Sequence, residues 1–538
     1  MKKTLLATLI GASLAAPAFA ANIVVNNVDP VGIGFNDPTP AVPVGGNGGT
    51  TVGAQRLIAY KKALELWGKT LHSDVTIVVQ GSFAGLPCTA GGGTLAQAGA
   101  NQIFADFPNA PIPGHWYGVA LANALAGVDL APGPFDIPGP NDQFADDIVA
   151  NFNGDVGKPG CIEGPGWYYG LDSSPGPGQI DFLDTFMHEV AHGLGFQNFA
   201  SETSGATPLD LPDVYMANTL DLDRGLWNTF DAATIRASAV NEKRVVWAGP
   251  RVTAFAPLLL GPYQGLQATG INKEIYYGTA AFGAPASPAN FGGAVVLATD
   301  GVSAPGGGTP TDGCEAITAN VAGKVALVDR GLCGFAVKVK NAQDAGAKAV
   351  IIANTLGRGS FSPGGGDPAI TIPSIGISNA DGDAIKAGLP GVSVSFFTDP
   401  TRNAGTTEGF VRLYAPNPVE QGSSISHFDI TATPDLLMEP FATPNTRSNV
   451  NIDLTPALMQ DIGWSIETLK IGSCDTGVPT VLATGQMLHA NVSACADSSK
   501  NHGQFVSCMN KVTNEAKKAG LLTGAQHGAI ASCAASFK

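Results

Sequence analysis

Hydrophobic positions in the N-terminal part of the chain follow first a helical and then a strand period. Five apolar residues lie three or four positions apart and predict one buried helical face: Leu57, Tyr60, Leu64, Trp67 and Leu71. The apolar run at 75–80 predicts a buried strand, and residues 146–153 predict a second strand. This region is therefore expected to combine helices with a sheet.

A further amphipathic helix is predicted from about Ile180 to Gly193. Its apolar residues can face a core: Leu183, Met187, Val190 and Leu194. His188 and His192 share another side of this helix, so their side chains project from it about one turn apart.

Two later parts of the chain have recognisable patterns. Residues 324–331, 335–347 and 348–354 predict a strand, a helix and a strand, which is the order of a βαβ unit. In the tail, one helical face is predicted from four residues: Phe505, Met509, Val512 and Ala516. Gly520 should end that helix, and Thr523 with Gln526 forms a capping box that begins another.

Composition and charge narrow the class of protein. A chain of 538 residues, with 44% hydrophobic and 14% charged residues, should form more than one domain with large cores. The formal charge of -15 predicts no nucleic-acid partner and no binding to an anionic membrane, because a basic surface is lacking.

The first twenty residues have the layout of a secretory signal that is cleaved after Ala20. Two lysines precede an apolar run that is too short to span a membrane comfortably, and a small-residue motif closes it. Because no later run reaches about 18 apolar residues, we expect no membrane anchor. The protein is predicted to be exported, and residence outside the cell or in the periplasm stays open.

All eight cysteines follow the predicted signal: Cys88, Cys161, Cys314, Cys333, Cys474, Cys495, Cys508 and Cys533. An even count in an exported chain indicates disulfides rather than thiolate metal sites. Their grouping predicts one bridge in each of two large regions and two bridges in the tail, where the pairing stays open.

The stretch HEVAHGLGFQN, residues 188–198, carries the candidate chemistry. Two histidines at i and i+4 on a helix can reach one cation, and Glu189 can hold and deprotonate a water without occupying a coordination position. Asn198 stands where a third histidine would be expected, and its amide oxygen is a poor ligand for zinc. The third ligand must therefore come from elsewhere.

The segment GSSISHFDITATPDLLMEP has His427 followed eleven residues later by Met438. Together with HEVAHGLG it resembles the leishmanolysin-like metzincins, in which an insertion separates the third histidine from the first two. The resemblance implies an α+β catalytic domain with a twisted sheet and an active-site helix. It also implies these roles: zinc ligands His188, His192 and His427, catalytic base Glu189, turning glycine Gly195, and Met438 in a turn beneath one Zn²⁺.

The intervening segment, with VAGKVALVDRGLCGFAVKVKNAQDAGAKAVIIAN and ITIPSIGIS, resembles a protease-associated (PA) domain. This resemblance implies a non-catalytic α/β insertion with a bridge between Cys314 and Cys333. The expected layout is a signal peptide at 1–20, the first catalytic part with a connector at 21–249, the PA domain at 250–400, the second catalytic part at 401–470, and a helical disulfide-stapled module at 471–538.

These features predict a secreted zinc-dependent endopeptidase that hydrolyses protein or peptide substrates, with residues 146–153 as the edge strand that binds them. An alternative is a secreted binding or adhesion protein that keeps the peptidase scaffold without cleaving. Another alternative is a gluzincin in which Glu202 or Glu242 is the third ligand. Gly195 and the segment of Met438 favour the metzincin.

Overall fold

The computed structural model describes residues 20–90, 92–130, 146–301, 308–355, 357–443 and 445–537. Apart from Ala20, the predicted signal peptide lies outside the described residues. In the described ranges, no helix is both long and apolar enough to cross a membrane.

The helices of the described chain are α1 Val52–Thr70, α2 Val119–Ala126, α3 Phe182–Gly193, α4 Ala232–Ser238, α5 Pro250–Leu259, α6 Phe335–Asp344, α7 Asn379–Gly388, α8 Thr455–Ile462, α9 Leu488–Ser498, α10 His502–Lys518 and α11 Gly524–Ser536. Short 3-10 turns lie at Gly34–Asn36, Pro208–Asp210, Met216–Asn218 and Trp227–Thr229.

The strands are β1 Ile23–Asn27, β2 Ile77–Ala84, β3 Cys88–Thr89, β4 Gly92–Gly93, β5 Ala96–Ala100, β6 Ile103–Phe104, β7 Tyr117–Gly118, β8 Ile148–Asn153, β9 Trp167–Tyr168, β10 Ile180–Asp181, β11 Thr219–Asp221, β12 Gly225–Leu226, β13 Val245–Trp247, β14 Pro262–Thr269, β15 Lys273–Ile275, β16 Tyr277–Thr279, β17 Gly292–Leu297, β18 Val325–Asp329, β19 Ala349–Ala353, β20 Ser374–Ile377, β21 Ser393–Asn403, β22 Thr406–Thr407, β23 Phe410–Arg412, β24 Thr468–Ile471 and β25 Cys474–Pro479.

The first core is built by α1 and α3 against a four-stranded sheet in the order β1-β2-β8-β5. Four of the five residues predicted for the apolar face of α1 are buried and Leu57 is half-buried. Tyr60 on this face stacks on Phe186 of α3 with ring centroids 3.9 Å apart. The indole N–H of Trp67 donates to the Met187 carbonyl at 3.0 Å. These contacts hold α3, which carries the histidine pair, firmly against the interior.

The position of β8 differs from the prediction made for residues 146–153. β8 pairs in parallel with β2 on one side and antiparallel with β5 on the other, so its backbone cannot accept a substrate strand. β5 forms that edge of the sheet in the described chain. The prediction was wrong because the apolar pattern of β8 reports its burial, whereas an edge strand needs no such pattern.

The connector after α3 packs into the same core. Its β11, β12 and β13 join β22 and β23 in a five-stranded sheet, and Trp227 and Trp247 are fully buried. Val252 and Ala256 of α5 also belong to this core. The second core therefore begins at β14, about a dozen residues after the predicted boundary at 250.

An eight-stranded sheet organises the second core in the order β15-β14-β21-β17-β18-β19-β20-β16. The predicted βαβ unit is β18, α6 and β19, and its two strands pair in parallel. Apolar clusters cover both faces, because alternate residues of β18 point to opposite sides. The second core as a whole begins at Pro262 and ends at Asn403, which are paired neighbours. Its chain therefore leaves and rejoins the first core at one place.

The tail forms a β24-β25 hairpin with α9, α10 and α11 around a small core of its own. The predicted capping box at Thr523 and Gln526 is present. Four disulfides join the eight cysteines, one in each large region and two in the tail: Cys88–Cys161, Cys314–Cys333, Cys474–Cys533 and Cys495–Cys508. This distribution is the one that the sequence predicted.

Candidate metal centre

Helix α3 begins at a well-defined cap and ends at the glycine turn. The Asp181 carboxylate accepts the backbone N–H groups of Leu183 and Asp184 at 2.8 and 3.2 Å, which satisfies donors that no helical carbonyl can reach. The apolar residues of the helix are buried. This packing leaves His188 and His192 on the side that faces a cleft.

Gly195 turns the chain back at the end of α3. Its φ of +120° is unfavourable for other residues, and a Cβ there would lie 2.7 Å from Ile462 Cδ1. The turn brings the Phe196 carbonyl within 2.7 Å of His192 Nδ1. The glycine thus lets the chain reverse and hold a histidine of the preceding helix.

Three imidazoles converge at one point of the cleft. The Nε2 atoms of His188 and His192 lie 3.0 Å apart, and His427 Nε2 lies 3.1 and 3.2 Å from them. His427 is 235 residues beyond His192 in the chain. The structure therefore brings together the three histidines that the resemblance selected.

Each ring is oriented by a hydrogen bond from its other nitrogen to a backbone carbonyl. His188 Nδ1 donates to Leu437, His192 Nδ1 to Phe196, and His427 Nδ1 to Ser423, each at 2.7 Å. Because a carbonyl can only accept, the proton of each neutral ring is on Nδ1.

Three Nε2 lone pairs therefore face each other without a proton between them, an arrangement that a cation stabilises. Burial lowers the pKa of His188 to about 4 and that of His192 to about 3, so both rings are neutral near pH 7. Burial also lowers the pKa of His427. Three neutral imidazoles form a donor set that suits zinc, so the residues present fit this metal.

The loop that carries His427 is anchored to the end of α3 by Asn198. The backbone N–H and the side-chain amide of Asn198 donate to Ser426 Oγ at 3.1 and 2.9 Å. The amide also donates to Glu202 at 3.0 Å, and Tyr215 Oη donates to the Ile425 carbonyl at 2.9 Å. Asn198 therefore contacts the residue next to the third histidine and is not part of the imidazole cluster.

Met438 lies in a tight turn beside the cluster. The turn spans Leu436–Glu439, with the Glu439 N–H donating to the Leu436 carbonyl at 3.1 Å, and Met438 is fully buried. The Leu437 carbonyl in this turn accepts from His188, and the Met438 carbonyl accepts from the Phe428 N–H at 2.8 Å. The turn thus connects the first and third histidines through the backbone.

Glu189 lines the same cleft as the histidines and is 6% exposed. Burial raises the pKa of its carboxyl to about 8, although the Ala98 backbone N–H, which donates to the carboxylate, favours the charged form. A cation at the histidines would also favour the charged form. The Glu189 carboxyl therefore lies where it could exchange a proton with a water in the cleft.

The cleft has a volume of about 2070 Å³ and is lined by both large cores. The first core contributes residues of β5 to one wall, namely Ala96, Gln97 and Ala98, and the second core contributes Arg330, Phe335 and Phe361 to another part of the lining. Small-molecule pockets usually measure roughly 300 to 1,000 Å³, so this cleft is large enough for a polypeptide.

Neither glutamate of the gluzincin alternative lies in the imidazole cluster. Glu202 lines the cleft and accepts from Asn198. Glu242 lies in a separate cavity with Lys273 and Tyr276, at the junction of the two cores. Among the described residues, the histidine cluster has no carboxylate member.

Sequence reasoning did not identify the residues that orient the site. Ala98 acts through its backbone N–H, and Leu437, Phe196 and Ser423 act through their carbonyls, so their side chains carry no signal of this role. Ser426 could have been suspected because it adjoins His427.

Comparison with known proteins identifies one part of the chain. The family model described as PA domain matches residues 285–385. A signal peptide peptidase-like 4 of Oryza sativa subsp. japonica is 56% identical over 45 residues, which is 8% of this chain and 8% of that protein. The chain thus spans a small part of this curated relative.

Two solved structures are also similar to parts of the chain. A zinc aminopeptidase from Bacillus subtilis is 23% identical and covers 28% of this chain and 36% of its own, with a TM-score of 0.20. A subtilisin-like protease from the Antarctic psychrotroph Pseudoalteromonas sp. AS-11 is 22% identical over 27% of this chain and 35% of its own, also with a TM-score of 0.20.

The family match lies in the second core and includes none of the three histidines. It therefore does not support the leishmanolysin-like assignment, which depends on the motif residues and the geometry of the cleft. The eight-stranded second core of this chain contains a PA domain.

Proposed function

We propose that this protein is an exported zinc-dependent endopeptidase of the leishmanolysin-like metzincin type, with the PA domain inserted between its second and third zinc ligands. The observation that carries the proposal is the convergence of three Nε2 atoms within 3.2 Å, while carbonyls hold the protons of all three rings on Nδ1. A cluster of solvated or structural histidines would have no reason to point three lone pairs at one another.

The residues of the cleft have separate roles in peptide hydrolysis. His188, His192 and His427 would hold the zinc, which supplies a Lewis acid that polarises the scissile carbonyl and makes a water more acidic. Glu189 takes a proton from the attacking water and passes it to the departing amine nitrogen as the C–N bond breaks. The products are one carboxylate and one amine, without a covalent enzyme intermediate.

Strand β5 is the surface on which an extended substrate would lie. One edge of β5 pairs with β8, while in the described chain its other edge has no partner strand and faces the cleft through Gln97 and Ala98. Main-chain pairing suits an enzyme that accepts varied sequences, because every peptide offers the same backbone groups. Ala98 contacts Glu189 as well, so one strand would place both the substrate and the base.

The experiment that tests this proposal compares the wild-type protein with Glu189→Gln. We expect the wild type to contain one zinc per chain by elemental analysis and to cleave casein until a chelator removes the metal. Glu189→Gln should keep the zinc and lose hydrolysis by several orders of magnitude, because it removes the base but no ligand.

Glu163→Gln is the matched control, because it changes an exposed carboxylate on the cleft rim. Asp184→Asn would be unsuitable, because Asp184 accepts several hydrogen bonds near the start of α3. Glu163→Gln should keep both zinc and turnover. Near-normal hydrolysis by Glu189→Gln would contradict the proposed mechanism. Zinc binding without hydrolysis in the wild type would favour the non-catalytic binding protein.

A further inference from the structure

The second core, which contains the PA domain, contributes one wall of the cleft, the PA wall, which includes Arg330, Leu332, Phe335, Val337, Arg358 and Phe361. Arg330 on this wall is partly enclosed and has no carboxylate partner. The Arg330 guanidinium lies 5.2 Å from the ring centroids of both Phe335 and Phe361, and its Nη1 donates only to the amide oxygen of Asn354 at 3.2 Å. Among the described residues, no carboxylate oxygen lies within 4.0 Å of its nitrogens. A desolvated guanidinium normally gains a carboxylate or phosphate.

A second arginine increases the positive charge at this place. Arg358 is exposed, lines the same cleft, and likewise forms no ion pair with any described residue. Burial, and then the nearby charge of Arg358, lowers the pKa of Arg330. Both cations line the same cleft, and an anion bound beside them would offset their like charges.

The protein's own carboxylates do not neutralise the pair. Glu420 is the acidic residue whose charge acts on both arginines, but it forms no ion pair with either and accepts instead from Tyr414 Oη at 3.3 Å. One carboxylate beside two arginines leaves an excess positive charge on a chain whose net charge is -15. Lys340, on the same wall, is different because Asp344 pairs with it at 2.6 Å.

Apolar side chains beside Arg330 are exposed to the cleft. Leu332 and Val337 are each 45% exposed, and both line this wall. Acidic side chains of the first core, among them Asp184 and Glu202, also line the cleft and disfavour an acidic ligand beside them. Of the cationic residues that the second core contributes to the cleft, Arg330 and Arg358 are thus the two without an ion pair among the described residues, and an apolar contact adjoins Arg330.

We propose that the PA wall of the cleft binds an acidic side chain of the peptide substrate, with Arg330 and Arg358 as its partners and Leu332 and Val337 as an adjoining apolar contact. This inference builds on the proposed peptidase function and adds a preference for glutamate or aspartate at one substrate position. Arg330 is held by two aromatic rings before the substrate arrives, so little side-chain freedom is lost on binding.

The test uses short peptides with blocked termini that differ only by Glu or Gln at one position, which is moved along the sequence. Blocking the C-terminus ensures that the side chain is the sole source of the carboxylate under test. Binding to the full-length, zinc-loaded Glu189→Gln protein is measured by titration calorimetry, and kcat/KM is measured with the wild type.

At one position we expect the Glu peptide to bind about tenfold more tightly than its Gln partner, the ratio that a partly exposed charged hydrogen bond supports. Arg330→Gln and Arg358→Gln, each introduced into the Glu189→Gln protein, should abolish this ratio without weakening the Gln peptide. Lys340→Gln is the matched control and should keep it, because Asp344 already neutralises Lys340.

Equal binding of Glu and Gln peptides at every position would overturn the proposal, and so would a preference that persists in both arginine variants. If Arg330→Gln does not fold, the exposed Arg358 decides alone: loss of the ratio supports the site and its persistence refutes it. A Glu preference in binding without wild-type cleavage would refute the peptidase and leave the acidic site standing. Cleavage without any preference for Glu would support the peptidase and refute the acidic site.

Discussion

Asn198 and His427 show how neighbouring residues of one site have different roles. Both are buried, and both belong to the contact between the end of α3 and the loop at 423–427. The imidazole of His427 points its free nitrogen at the two other histidines, whereas Asn198 donates its amide to Ser426 and Glu202. We therefore propose that His427 is a zinc ligand and that Asn198 positions the loop.

We expect His427→Ala to lose both zinc and activity, because two imidazoles hold zinc much less tightly than three. Asn198→Ala should keep one zinc per chain while losing about 1 to 2 kcal/mol of unfolding free energy, since Ser426 and Glu202 lose a hydrogen-bond donor. Elemental analysis and denaturant unfolding measure the two effects. Zinc retained in the first variant and lost in the second would reverse the assignment.

Gly195 gives a second prediction at this scale. Gly195→Ala should destabilise the protein by about 2 to 4 kcal/mol, because the new Cβ is strained at positive φ and would lie 2.7 Å from Ile462 Cδ1. Gly520→Ala is the matched control, since Gly520 also has a positive φ but open space around it, and it should cost only about 1 kcal/mol.

Adding Ile462→Val to Gly195→Ala should recover part of the loss, because this change removes the methyl group that the Cβ would meet. Thermal unfolding of the single and double variants provides the measurement. Equal losses in Gly195→Ala and Gly520→Ala would show that the contact with Ile462 is unimportant.

At the scale of elements, the chain passes between the first and the second core at one place. Pro262 and Asn403 are paired, and the Ala404 N–H donates to the Gly261 carbonyl at 2.8 Å. An inserted domain with adjoining ends can be removed without separating the strands that flank it. Helix α5 lies outside this unit, because Val252 and Ala256 pack in the first core.

Replacing residues 262–403 with a short linker should therefore give a soluble protein that still binds zinc. Some stability should be lost, because Tyr276 of the insertion donates to the buried Asp429. Deleting 250–403, which also removes α5, should prevent folding. Circular dichroism and metal analysis distinguish these results. A folded 262–403 deletion that cannot hold zinc would show that the insertion supports the site directly.

At the scale of the whole molecule, half-buried polar groups lie where the two cores meet. Lys243 lies 4.5 Å from the ring centroid of Tyr276, and Glu242 lines the small cavity beside them. Burial raises the pKa of Glu242 from its ordinary value of 4.5 to about 7, partly offset by Lys243. The junction is therefore sensitive to pH in the range in which Glu242 loses its proton.

Because the folded protein binds the Glu242 proton more tightly than the unfolded chain, this carboxyl costs stability progressively as pH rises from 4.5 through 7. Glu242→Gln cannot ionise, so it should match the wild type near pH 4.5 and become the more stable protein above pH 7. Denaturant unfolding across this range measures the difference. Glu515→Gln, at an exposed position, should show no such trend. If the difference in unfolding free energy between Glu242→Gln and the wild type did not change with pH, the raised pKa of Glu242 would be contradicted.

Patterns with a local period were predicted well. The buried face of α1, the βαβ unit and the capping box at Thr523 all follow from spacings that helices and strands impose on neighbouring residues. The spacing of His188 and His192 belongs to this class, because four helical positions bring two side chains to one face whatever the surroundings. The general positions of the four disulfides followed from the grouping of the cysteines.

Contacts between residues that are distant in the sequence were decided by the tertiary structure. No period relates His427 to His192 across 235 residues, and only a family resemblance selected it before the fold placed its Nε2 beside the others. The exposed edge of the first sheet was assigned to β8 but belongs to β5, since strand order depends on long-range pairing. The carbonyls that orient the three imidazoles have no sequence signature, because every residue carries one. The sequence by itself thus determined the local elements and two histidines, while packing of the chain determined the complete cluster, its cleft and the arginine-bearing part of the cleft lining.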